Sequence, residues 1–161
     1  MPAPAPDKVM RLAARHHVSG RLRDAAALYR RVLQQDPRNA EALHALGVMA
    51  HQTGRADAAE KLLARAVDAD PDRAAARDDL GAVYFLQGRT DDALAAFAAA
   101  VRADPGLAAA HAHLGAALAR LGRFEEAVAA YQRAVDVGLL GRRRRSVSVD
   151  LRPFAEAAVE T

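Results

Sequence analysis

Apolar residues recur at helical spacing in stretches of about 12–14 residues, separated by short breaks rich in Gly, Asp and Pro. The stretches fall in pairs near 7–18 and 21–34, 40–52 and 55–68, 74–86 and 89–102, and 108–120 and 123–136. The short gap within each pair suits an antiparallel helical hairpin. Four hairpins in a row are therefore expected, with no segment patterned as a strand.

The breaks and the packing positions share one period. Gly20, Gly54, Gly88 and Gly122 stand 34 residues apart, each followed by Arg. Pro37, Pro71 and Pro105 keep the same interval, each preceded by Asp, and so do Ala25, Ala59, Ala93 and Ala127. Gly47, Gly81 and Gly115 repeat it once more. The first glycine set suits the left-handed position that ends a helix, and Asp-Pro closes the second helix of each pair, because proline cannot continue it. Small residues at 13, 47, 81 and 115, with Ala at 25, 59, 93 and 127, let the two helices of a hairpin approach closely. Leu46, Leu80, Tyr84, Phe97 and Tyr131 are then expected to fill the space between hairpins. Asp24, Asp57, Asp91-Asp92 and Glu125-Glu126 occupy first turns of second helices, where carboxylates complement the helix dipole.

The third unit reads Arg77-x2-Leu80-Gly81-x2-Tyr84, then Ala93-x3-Phe97, then Pro105. It resembles the tetratricopeptide repeat (TPR), lacking only the leading Trp. The resemblance covers residues 6–141, as repeats 6–39, 40–73, 74–107 and 108–141. The first is degenerate, with Ala13 and His16 in the Gly and Tyr positions. The resemblance implies an all-α, right-handed superhelix with a concave face lined by first helices. Residues 1–5 read as a flexible start.

Composition narrows the chemistry. Aromatics are 4% of the chain and Ala about a quarter, which favours closely packed helices over strands. The net charge of +3 is carried mostly by residues 142–161, which hold five Arg against three acids. A nearly neutral body makes nucleic acid an unlooked-for partner. The chain has no Cys, and no apolar run approaches the roughly 20 residues that span a bilayer. Without a signal-like N-terminus, a cytoplasmic protein is the expectation.

The resemblance places candidate partner-binding residues on the groove: Arg11, His17, Glu41, His44, His51, Asp78, Asp79, Phe85 and His113, with Ala14, Val48, Ala82, Ala112, Ala116 and Arg120 beside them. Asp78, Asp79 and Glu41 suggest a mildly acidic centre for a basic or mixed peptide, or simply a solvated surface. Two recognition modes of the wider family do not carry over. The chaperone-binding carboxylate clamp would need Lys and Asn where Met10, Ala14, Ala45, Ala75 and Asp79 stand. The Asn ladder of O-GlcNAc transferases would need Asn at Arg11, Ala45, Asp79 and His113, whereas Asn39, the sole Asn, lies in a turn. His44 and His51 share a helix face, with His17 at the repeat position of His51, but no carboxylate-plus-His spacing supports a metal site. Ser19, Ser146 and Ser148 lack a nucleophile's setting. No cofactor, metal or catalytic residue is expected.

Repeat four departs from the pattern at Val137-Gly138-Leu139-Leu140-Gly141, and Arg142–Arg145 follow. Either Leu139, Leu140, Phe154 and Val159 fold back as a cap, with a short helix over 153–160, or the chain is disordered, over 141–149 above all. The Arg run could contact an anionic surface, though a solvated charge run accounts for it as well. The functional expectation is a non-enzymatic scaffold binding a partner segment. The alternative is a detached recognition region of a transferase, since the segment around Leu46–Arg55 resembles bacterial repeats that precede transferase domains.

Overall fold

The structure, a computed structural model, describes residues 6–147, with side chains over 7–141. Eight helices follow in order: α1 (Pro6–Val18), α2 (Leu22–Gln35), α3 (Ala40–Gln52), α4 (Ala56–Ala69), α5 (Ala74–Leu86), α6 (Thr90–Ala103), α7 (Ala108–Arg120) and α8 (Phe124–Val147). Among the described residues there is no strand. Each odd-numbered helix pairs with the next to form a hairpin, and each hairpin packs on the following one, so the architecture is an all-α solenoid of helical hairpins.

Local chemistry explains the breaks. Gly20, Gly54, Gly88 and Gly122 sit at φ 73–78°, the left-handed region that a β-carbon disfavours. At the other breaks, Asp36, Asp70 and Asp104 each accept from a backbone N–H two residues on, at 3.2, 3.3 and 2.8 Å. The Asp before each proline therefore closes the turn with its own side chain. Asn39 adds a cap, its Oδ1 accepting from the Ala42 N–H at 3.0 Å.

The core is a stack of small clusters (one of which joins Ala93, Phe97 and Ala117), as expected when each repeat packs only on its neighbours. Two expectations need amending. Phe97 does pack on Ala117 of the following hairpin, but it and Tyr131 also sit over a glycine of their own hairpin. A β-carbon at Gly81 would lie 2.6 Å from the Phe97 ring, and one at Gly115 would lie 3.1 Å from Tyr131. Each ring therefore plugs the glycine hollow of its own hairpin, and Leu63 does the same at Gly47, 2.7 Å away. The second correction concerns the last helix. It does not stop near 136 but continues through Gly138 and Gly141 to Val147, for 24 residues. Val137 stands where proline follows Asp in the earlier repeats, so nothing interrupts the backbone ladder there. Residues 141–147 are thus helical, not extended chain, and Leu139 and Leu140 are exposed. Residues 1–5, Phe154, Val159 and the expected cap at 153–160 lie outside the described residues.

Candidate functional site

First helices touch one another along one side of the stack, α3 with α5 and α5 with α7, while second helices make no contact of similar extent. That asymmetry puts the first helices on the inner, concave face. With a repeat of 34, residue n on one first helix lies beside n+35 on the next. Four side-chain contacts keep this offset. His17 Nε2 meets Gln52 Oε1 at 3.3 Å, and His44 Nε2 meets Asp79 Oδ2 at 2.6 Å. His113 Nδ1 donates to the two Asp78 oxygens at 2.9 and 3.0 Å. Arg120 Nη1 donates to the Phe85 carbonyl at 2.7 Å.

These contacts change the electrostatic reading of the groove. Asp78 is only 6% exposed, which for a carboxylate requires a partner, and His113 is that partner. The Asp78 hydrogen bond pushes the His113 pKa above the usual imidazole value, against partial burial and aided by the charges of Asp78 and Asp79. Asp79, half-exposed, is engaged by the largely buried His44. The two acids expected to greet a basic peptide are therefore committed to imidazoles of neighbouring repeats.

Beside the Asp78–His113 pair lies a concavity of about 200 Å³ walled by Ala82, Phe85, Leu86, Phe97, His113 and Ala116. Its lining is almost wholly apolar. The Phe97 and His113 rings form one wall, with centroids 5.2 Å apart. The Arg120 guanidinium lies 3.3 Å from the Phe85 ring centroid, a cation–π contact that sets a cation against one of the residues walling the hollow. Leu86 reaches into solvent, 72% exposed, at the edge of the same hollow.

The structure thus brings Asp78, Phe85 and His113 into one site and sets His44 and Asp79 beside it. His51 lies in a separate hollow with Ala56 and Val83. His17 is tied to Gln52. Arg11 and Glu41 are exposed, and the Glu41 charge adds to burial in raising the Tyr29 pKa. Among the described residues no three His, Asp or Glu side chains converge as a metal site. His111 is structural: its Nε2 meets the Pro105 carbonyl at 2.9 Å, as Arg77 Nε donates to the Pro71 carbonyl at 2.8 Å one repeat earlier. Sequence reading missed the role of Gln52 and the wall formed by Leu86 and Phe97. The offset of 35 would have found the pairs, because complementary residues recur there: His44 with Asp79, Asp78 with His113.

Among curated proteins, none matches the sequence. Solved structures do match: MamA aligns with a TM-score of 0.75 at 25% identity, over 86% of this chain and 81% of that one. YrrB, described as a TPR protein with an unusual peptide-binding site, aligns with a TM-score of 0.68 at 25% identity, over 83% and 69%. Two tetratricopeptide-repeat family models match the sequence itself, one over residues 19–80 and the other over 53–108 and 79–138. Repeat models that tile most of the chain agree with four stacked hairpins, and the chain belongs to the tetratricopeptide-repeat family.

Proposed function

We propose that this protein is a non-enzymatic adaptor whose concave face takes a segment of a partner protein. Its fold is that of a protein-interaction repeat scaffold, and no helix among the described residues is long and apolar enough to cross a membrane. The observation that carries the reading is the apolar hollow between α5 and α7, with Arg120 stacked on Phe85 of its wall. A preformed apolar pocket with few polar groups is what a single anchoring side chain requires. The partner segment places one aliphatic or aromatic residue there, with an acidic neighbour toward Arg120. A basic neighbour toward the exposed Glu41 makes the segment mixed in charge.

The test is affinity capture from a lysate of the source cell, wild type beside an Ala116→Arg, Leu86→Asp variant, after both are shown to melt alike. A protein retained by wild type and lost by the variant supports the reading and supplies the segment to map. Equal retention of every captured protein by both removes this hollow from the working surface.

A further inference from the structure

Charge is unevenly placed along the solenoid. Residues 6–39 hold eight Lys and Arg against three acids, a net +5 with His neutral. Residues 40–73 and 74–107 are each −2, and 108–141 is 0. In those later repeats acids hold the cations, as Glu60 and Asp92 hold Arg89 and Glu126 holds Arg123. In the first hairpin the acids are engaged otherwise. Asp7 stands in the first turn of α1, Asp24 lies 3.7 Å from His16, and Asp36 accepts from the Arg38 N–H and the Asn39 amide. Lys8, Arg11 and Arg15 of α1 are exposed, and among the described residues their side chains make no ion pair or hydrogen bond.

The positions of these cations say what the face is built from. One, two and three repeats on, Lys8 corresponds to Ala42, Ala76 and Ala110, and Arg15 to Met49, Val83 and Ala117, all buried. There the first helix packs on the second helix of the preceding hairpin. Met49 clusters with Tyr29 and Val32 of α2, Val83 with Ala59 and Leu63 of α4, and Ala117 with Ala93 and Phe97 of α6. Leu12 keeps the residue type of Leu46, Leu80 and Leu114, yet is 43% exposed. The outer face of α1 is therefore a helix-receiving seam in which cations flank one leucine, and nothing among the described residues fills it.

We propose that this face is a second docking surface, whose occupant is an acidic amphipathic helix of a partner protein. The helix lies where a second helix lies in the later repeats, with an apolar residue on Leu12 and carboxylates toward Lys8, Arg11 and Arg15. Shape supports a helix, because the same seam receives one in each of the three later repeats. Charge supports an acidic one. Either sign would keep the end of a solenoid soluble, whereas a face of one sign selects its complement, and the Arg fork matches a carboxylate. A phosphate backbone is a poorer fit, since it offers nothing to Leu12, and Tyr29, the aromatic of this hairpin, is buried and cannot stack on bases. A duplex or a membrane would also extend past one repeat, toward the net-negative residues 40–107.

The test is fluorescence anisotropy of a labelled Ala-based peptide of about 18 residues, long enough to be helical alone, with a Leu stripe flanked by Glu. At low salt the full chain should bind it at least 10-fold more tightly than the same peptide with Gln in place of Glu. That preference should shrink as salt is added. Lys8→Glu, Arg15→Glu should weaken binding at least 10-fold with an unchanged melt, and Lys8→Gln, Arg15→Gln serves if the reversal melts lower. Leu12→Ser should weaken it as well. Equal affinity for the two peptides overturns the proposal, as does a wild type no better than its α1 variants. So does duplex DNA, or phosphatidylserine vesicles, bound as tightly as the peptide and lost with the same variants, which would make the face a polyanion surface. Self-association at low salt that these variants abolish, read by sedimentation velocity, would instead make the occupant a second copy and overturn it too. None of these readouts involves the hollow between α5 and α7, so their failure leaves the adaptor reading standing.

Discussion

Phe97 and Tyr131 occupy the same repeat position and make the same contact, a ring over a glycine, yet Phe97 is 1% exposed and Tyr131 43%. The hairpin supplies the glycine hollow in both cases. The difference is the next repeat: α7 closes over Phe97, and no described element closes over Tyr131. Half of what buries a side chain here thus comes from its neighbour, the nearest-neighbour energetics expected of a solenoid. Truncation makes this measurable. Phe97→Ala should cost about 3–5 kcal/mol, while Tyr131→Ala should cost about 1–2 kcal/mol, because much of the Tyr131 ring is already wet. Paired urea melts decide it, and equal losses would mean that the hairpin alone sets the stability of this position.

Filling the hollow instead of emptying it sharpens the same contrast. A β-carbon at Gly81 would meet the Phe97 ring at 2.6 Å and the Ala96 Cβ at 3.2 Å, and Phe97 is packed against Ala117 on its other side. Gly81→Ala should therefore cost about 1–3 kcal/mol by overpacking. At Gly115 the obstacle is Tyr131 at 3.1 Å, a ring with an open side. There Gly115→Ala should be close to neutral, since the helix-propensity gain of about 1 kcal/mol offsets a small displacement. Thermal melts of the two variants check the ordering.

The polar contacts of the inner face set a third test. Asp78→Asn leaves shape intact but removes the charge that His113 pairs with, and should cost about 1–2 kcal/mol at pH 6. The sign of its pH dependence follows from the raised His113 pKa. A group whose folded pKa lies above its unfolded value, about 6.5 for His, contributes fully below that unfolded value. The contribution fades as pH rises through the folded pKa. The stability gap between wild type and Asp78→Asn should thus be widest near pH 6 and shrink toward pH 9. A gap that grows with pH would mean that His113 is neutral in the pair.

How much of this was legible in the sequence depends on the range of the interaction. The hairpins, their breaks and the left-handed glycines follow from local chemistry that repeats every 34 residues, and the observed helix boundaries lie within one or two residues of the pattern except in α8. There the pattern lost its Asp-Pro stop, and an expected end at 136 became a helix to Val147. The repeat put the candidate groove residues on first helices, but their hydrogen-bonded state was not visible. Asp78 and Asp79 look like free acids in one dimension because their partners stand 35 residues away on the next first helix. The hollow beside Phe85 was invisible for a related reason: its walls come from α5, α6 and α7 together.

The smallest expected effect closes the comparison between covered and uncovered repeats. Leu94 and Val128 are equivalent positions, one packed under α7 and one exposed on α8. Leu94→Glu would put a carboxylate into an apolar contact with no partner, at a cost of about 1–3 kcal/mol from mutational data on buried polar groups. Val128→Glu adds a charge to a surface already in water, so its effect on unfolding should stay within about 0.5 kcal/mol. Urea melts of the two variants check the ordering, and equal losses would mean that packing under α7 does not set the cost of a charge at this position.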